Sequence, residues 1–165
     1  MGFFDKLFGK SGKINGNHVY APIAGKAVPI SEVPDPTFAE AMLGNGIAIM
    51  PTDGNVYSPV DGKVDMMFTT GHAVSLVSDS GIEILIHVGL ETVNLEGKPF
   101  DIKVQSGDVV KKGQLLMVAD LEAIKEAGLP TITPVVICNT DDYSKFKTNI
   151  GKDVTNEDVV IELGK

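Results

Sequence analysis

Only one cysteine, Cys138, occurs in the chain, so no internal disulfide can form, and its place in the apolar run "PVVICNT" makes a small buried core residue the expectation. Basic residues are also scarce: 14 Lys and Arg stand against 22 Asp and Glu, a net charge of −8. That balance offers no extended positive field for nucleic acid and suits basic protein partners or small molecules. No apolar run approaches the roughly 20 residues of a membrane span, and Met1 is not followed by the charged, then apolar, pattern of a signal peptide. A cytoplasmic location is expected. A Gly-x-x-x-x-Gly-Lys-[Ser/Thr] phosphate loop is missing too. Finally, the chain has just three histidines, and two of them, His72 and His87, flank one short stretch.

What is present reads as a single β-rich domain. With 165 residues, 43% of them hydrophobic, and a mean hydropathy of +0.13, the chain can bury one sizeable core. Its 18 glycines and 9 prolines punctuate short β-branched runs such as "GKAVPI", "GIAIM", "GIEILIHVG" and "VVIEL". Helical spacing is credible only in "DPTFAEAML", "LEAIKEAG" and "DDYSKFK", each about two turns long. An internal repeat, "YAPIAGK" at 20–26 and "YSPVDGK" at 57–63, reads Tyr-x-Pro-[Ile/Val]-x-Gly-Lys in both copies. Proline removes a ladder donor and glycine permits a bend, so each copy should enter a turn before a new strand. A third element, "SGDVVKKGQLLM", has the form strand, tight turn, strand. The expected fold is therefore mostly β: an antiparallel sandwich or barrel-like single domain with an internal pseudo-repeat and a few short helices.

The stretch "GHAVSLVSDSGIEILIHVG" at 71–89 carries the chemistry. Alternation puts Ile82, Ile84, Ile86 and Val88 on one face, the core, and Glu83, Leu85 and His87 on the other. Because 72 and 87 differ by an odd number, a two-residue hairpin loop sets both imidazoles on one side, with Cβ atoms roughly 5 to 8 Å apart. A three-residue loop sets them on opposite faces, and Gly81 at its third position suits that alternative. Phe68, Val74, Leu85 and Val93 would give the pair apolar surroundings. Desolvation lowers an imidazole's pKa and favours its neutral, nucleophilic form.

The segments "VPDPTFAEAMLGNGIAIMPTDG" (33–54), "SPVDGKV" (58–64), "TGHA" (70–73), "SDSGIEILIHVGLETVNLEGKPF" (78–100) and "TPVVICNT" (133–140) resemble enzyme IIA of the glucose family in the bacterial sugar phosphotransferase system. The resemblance implies a duplicated hybrid motif as the fold and a phosphoryl carrier as the function: phospho-HPr hands its group to this domain, which passes it to the IIB domain of a glucose-type permease. It also implies that no cofactor is required. His87 matches the histidine that is phosphorylated at Nε2, His72 the second histidine that hydrogen-bonds the phosphoryl oxygens, and Thr70 the threonine that orients one of them. Phe38, Phe68, Leu85 and Val93 match an apolar rim that docks both partners, with Leu85 where some members carry phenylalanine. Asp35 and Glu91 match an acidic pair near the rim. A monomer is expected, with further regulatory targets conceivable.

A zinc hydrolase of related architecture would use histidines with an aspartate, but its His-x-His is missing; zinc at His72 and His87 is conceivable as an adventitious or partner-shared site. A swinging-arm carrier would need a Met-Lys-Met hairpin tip, which is absent. Domain boundaries are expected at a tail, 1–18, and a domain, 19–165. Within the tail, residues 2–10 place Phe3, Phe4, Leu7 and Phe8 on one helical stripe, compatible with weak membrane association. His18 is expected to be an exposed bystander.

Overall fold

The computed structural model describes residues 17–165. The proposed amphipathic segment at 2–10 lies outside them, as does nearly all of the tail. Eight strands form the main sheet: β1 (Gly25–Pro29), β2 (Asn45–Pro51), β3 (Gly62–Met67), β4 (Ala73–Ser78), β5 (Glu83–His87), β6 (Val109–Val110), β7 (Thr133–Ile137) and β8 (Lys152–Val154), in the order β6-β3-β4-β5-β7-β2-β1-β8. Two three-stranded sheets accompany it. One joins Asn55–Tyr57, Leu115–Ala119 and Phe100–Ile102; the other joins Lys145–Thr148, Val159–Gly164 and His18–Tyr20. Each of these pairings is antiparallel. The fold is mostly β, as expected, but neither small sheet closes the main one into a barrel.

Side-chain alternation divides the apolar residues between two cores. Ile47 and Ile49 of β2, Ile84 and Ile86 of β5, and Val135 and Ile137 of β7 join Val19, Val56, Leu116, Met117 and Ile161 of the small sheets in the major core. Ala48 and Val136 point through the opposite face into a smaller cluster with Val28, Ile30, Val33, Phe38, Leu90 and Ile132, against which Leu85 packs. Strand β7, central and covered on both sides, is buried at every position. The face that carries the smaller cluster also carries His87.

The two repeat copies occupy related positions and bond to each other reciprocally. The Tyr20 N–H donates to the Pro59 carbonyl at 3.1 Å, and the Tyr57 N–H donates to the Pro22 carbonyl at 2.7 Å. Each glycine of the repeat starts a main-sheet strand where the neighbour comes close: a Cβ on Gly25 would lie 2.1 Å from the Met50 carbonyl oxygen, and one on Gly62 would lie 2.2 Å from that of Val77. The third element folds as expected, with β6 and Leu115–Ala119 flanking its turn.

Several expectations need correction. The first helix, α1 (Pro36–Ala39), is a single turn capped by Asp35, whose side chain accepts from the Thr37 N–H, whereas Leu121–Glu126 is helical as foreseen. "DDYSKFK" is not a helix: a 3-10 turn at Thr140–Asp142 leads into strand Lys145–Thr148, because pairing with Val159–Gly164 satisfies its backbone and packs Phe146 on the core. Cys138 is exposed, since β7 ends one residue earlier. His18 is half-buried in a strand, with Nε2 3.8 Å from Glu162 Oε1.

Candidate functional site

Hairpin register decides how the two histidines meet, and it is the three-residue one. Ala73 faces His87, Val77 faces Glu83, and the Ser78 N–H donates to the Ile82 carbonyl at 2.9 Å, leaving Asp79, Ser80 and Gly81 as the loop. Gly81 adopts φ +96, the left-handed residue that such a loop demands. The Ile82 N–H donates back to Ser78 Oγ at 2.9 Å, holding the loop at this length. An extended strand in this register would send His72 to the face opposite His87. His72, however, lies one residue before β4, at the end of a tight turn joining β3 to β4.

In that turn the Gly71 N–H donates to the Phe68 carbonyl at 2.8 Å and the Phe68 N–H to the Ala73 carbonyl at 3.2 Å. Gly71 takes φ +71 and packs so closely that a Cβ there would lie 2.6 Å from Phe100 Cβ. The bend carries the His72 ring over to His87, with ring centroids 5.0 Å apart and planes at 77°. The histidines are thus neighbours, as expected, but by a route other than the two-residue loop. Val74, expected beside them, faces the major core opposite Ile86 instead.

Each imidazole has one nitrogen already engaged. His87 Nδ1 lies 2.7 Å from the Gly89 carbonyl oxygen, and a carbonyl can only accept, so Nδ1 carries the proton. In the neutral ring Nε2 is then left with its lone pair free. His72 Nδ1 lies 2.5 Å from Thr70 Oγ1. When that hydroxyl donates, His72 carries its proton on Nε2.

Aromatic rings close two sides of the pair. Phe38 packs on His87 at 5.2 Å between centroids and Phe68 on His72 at 5.3 Å. Phe38 belongs at the same time to the smaller core cluster, while Phe68 is half-buried. Leu85 is half-buried on the same sheet face, and Val93 is 45% exposed on the 3-10 turn Thr92–Leu95. Beyond α1 the chain also exposes Met42 and Leu43, which extend the apolar character of that segment.

Burial lowers the pKa of both histidines. His72, 7% exposed, falls from 6.5 to about 4, burial acting first and the His87 charge second. His87 is lowered by burial, against the opposing pull of the Gly89 carbonyl and of the carboxylates Asp35 and Glu91. Those two acidic groups line an open pocket with Pro34, Pro36, Leu90 and Pro130. Two histidines fall short of the four ligands of a structural zinc site, and among the described residues no group of three or more His, Cys, Asp or Glu is placed to hold a metal. The arrangement presents a neutral nitrogen nucleophile beside a second ring nitrogen, on an apolar face.

Sequence reasoning missed the Gly89 carbonyl. The only signal was a glycine two residues after a histidine that caps a strand.

A family model for the phosphoenolpyruvate-dependent sugar phosphotransferase system, EIIA 1, matches residues 17–143. The glucose-specific EIIA component of Bacillus anthracis is 49% identical over 92% of this chain and 92% of its own length, and that of Bacillus cereus is 50% identical over 90% of each. A glucose-specific EIICBA component of Staphylococcus carnosus is 54% identical over 82% of this chain, which corresponds to 20% of that longer protein. Among solved structures, glucose permease IIA from Mycoplasma capricolum superposes with a TM-score of 0.77 and 34% identity, covering 87% of this chain and 93% of that one. The chain belongs to the EIIA type 1 family of the phosphotransferase system. It is a phosphoryl carrier of that system, a component of a transferase relay. Among the described residues, no helix is long and apolar enough to cross a membrane.

Proposed function

We propose that His87 Nε2 is the phosphoryl acceptor, that it takes its group from the phosphohistidine of HPr, and that it donates it to the IIB domain of a glucose-type permease. The observation that carries this reading is the 2.7 Å bond from His87 Nδ1 to the Gly89 carbonyl, which fixes the tautomer with Nε2 unprotonated. In the accepting step the N–P bond of the donor breaks as the Nε2–P bond forms, and the donor nitrogen recovers its lone pair. His87 keeps its Nδ1 proton throughout. The second step reverses these roles toward IIB.

His72 assists from the side. With Thr70 donating to its Nδ1, His72 offers an Nε2–H to a phosphoryl oxygen, and such compensation matters most when the group is loosely held between donor and acceptor. Phe38, Phe68, Leu85 and Val93 supply the apolar docking rim, and Asp35 and Glu91 an acidic edge for basic groups of either partner. The Staphylococcus carnosus relative, whose name joins components A, B and C, supports the link to IIB. The glucose-specific names of the other relatives support a glucose-type permease.

Intact-mass measurement after incubation with enzyme I, HPr and phosphoenolpyruvate tests the reading. One acid-labile phosphoryl group should be gained by the wild type and none by His87→Gln. Incorporation into His87→Gln would move the acceptor elsewhere.

A further inference from the structure

His87 is only as well defined as the carbonyl that holds its Nδ1 proton, and that carbonyl sits in a turn whose peptides are pinned one after another. The Val88 N–H donates to the His72 carbonyl at 2.7 Å, joining the two histidine segments. The Val88 carbonyl accepts from the Thr92 hydroxyl at 2.6 Å. The Gly89 carbonyl accepts from His87, and the Leu90 N–H of that same peptide donates to the Pro130 carbonyl at 3.2 Å. Of the groups that pin this turn, the Thr92 hydroxyl is the one supplied by a side chain other than His87 itself.

Thr92 is fully buried, at 0% exposure, and it touches the turn twice. While its hydroxyl holds the Val88 carbonyl, its methyl lies against Gly89, where a Cβ would come 2.7 Å from Thr92 Cγ2. Gly89 adopts φ +75 there, and Glu91 is held at φ 61, a backbone region that a side chain occupies only when its surroundings impose it. A valine would fill the same volume but leave the Val88 carbonyl buried without a donor. The Val88–Gly89 peptide would then lose the bond to its carbonyl, and the Gly89 carbonyl, one residue on, would be aimed at His87 Nδ1 through the Leu90–Pro130 bond alone.

We propose that Thr92 is a positioning residue of the phosphoryl-transfer site, whose hydroxyl orients the Gly89 carbonyl and thereby selects the nucleophilic tautomer of His87. The inference rests on His87 being the acceptor. Without the hydroxyl, His87 exchanges into the tautomer protonated at Nε2, which has no lone pair for attack on phosphorus.

Ring-nitrogen NMR of the full chain above neutral pH, combined with rapid-quench phosphoryl transfer from phospho-HPr, tests this. The wild type should show His87 protonated at Nδ1 alone. Thr92→Val should show a tautomer mixture and accept phosphate on the order of ten- to a hundredfold more slowly, as for lost orienting contacts elsewhere. Thr92→Ser should restore both readouts. A folded Thr92→Val with wild-type tautomer and rate would overturn the proposal, and so would a serine variant as defective as valine, because the methyl rather than the hydroxyl would then be at work. Should Thr92→Val not fold, the wild type decides: a slowly exchanging Thr92 hydroxyl proton supports the clamp, and one exchanging freely with water overturns it. If the wild type takes no phosphoryl group on His87, the functional reading fails while the tautomer measurements still judge the clamp.

Discussion

At the scale of single residues, burial and hydrogen bonding divide the labour between two rings of the same chemistry. Both are kept neutral at physiological pH, but only His87 has its proton tied to a carbonyl, so only its free nitrogen is settled by geometry. The substitutions should therefore differ. His87→Gln should abolish phosphoryl acceptance outright. His72→Gln, whose amide still offers an N–H, should still accept from phospho-HPr and be slower in donation to IIB, by on the order of 10² to 10³ for loss of a preorganised donor. Rapid-quench rates for both half-reactions check this, and an acceptor step lost in His72→Gln but kept in His87→Gln would reverse the assignment. The pH dependence follows with a definite sign. A histidine whose folded pKa lies below 6.5 binds its proton more readily in the unfolded chain, so protonation favours unfolding. Its contribution to stability is whole above about pH 6.5 and declines as pH falls toward about 4, the folded value for His72. Urea midpoints across that range should fall less steeply in His72→Gln than in the wild type.

At the scale of elements, the hairpin β4-β5 shows what alternation can and cannot reveal. The isoleucine face of "IEILIHV" is plain in the sequence and lies in the major core as read. Its register was not plain, because Asp79-Ser80-Gly81 suits a loop of two residues or three. The choice rests on Ser78 Oγ receiving the Ile82 N–H and on the left-handed Gly81. Nor could any periodicity show that His72 reaches His87 around the Phe68–His72 turn, since turns have no repeat. Short segments are ambiguous for a related reason: "SKFK" fits period 2 as well as 3.6, and only pairing with a strand more than ten residues later made it extended. Two glycines separate strain from collision. Gly81→Ala meets nothing within 4 Å and should cost about 1 to 2 kcal/mol, for left-handed backbone alone, with Gly81→Asn largely spared. Gly62→Ala drives a Cβ to 2.2 Å from the Val77 carbonyl oxygen, within the β3-β4 pairing, and should cost more. Urea unfolding of the three variants ranks them; equal losses for Gly81→Ala and Gly62→Ala would contradict the close approach of the two strands.

At the scale of the whole molecule, a carrier that serves two partners must offer the same nitrogen, and so much of the same surface, to each in turn. The reciprocal bonds between the two Tyr-x-Pro segments and the two-sided burial of β7 tie together the scaffold behind His87. The surface before it is apolar, edged by Asp35 and Glu91 on a chain of net charge −8. Of this surface the aromatic members and the two histidines were legible in the sequence through the resemblance, whereas the double duty of Phe38 was not, because membership of a second core on the outer sheet face depends on packing across β1, β2 and β7. That double duty decides which docking variant is informative. Phe38→Ser removes a ring that is 5% exposed and should lower folding stability by several kcal/mol, in the range of large-to-small core changes, mixing misfolding with lost docking. Phe68 is half-buried, packs edge-on against His72, and stands outside both core clusters. Phe68→Ser should leave the unfolding midpoint much closer to wild type. It should also weaken binding of HPr and IIB alike, by about 2 kcal/mol, or roughly thirtyfold in Kd, for loss of an aromatic anchor. Because the lost contact is apolar, this loss should persist at high salt, while association with a basic partner slows as ionic strength rises. Titration calorimetry with each partner at two salt concentrations measures these effects, and loss of one partner with the other unaffected would show that the two docking surfaces are separate.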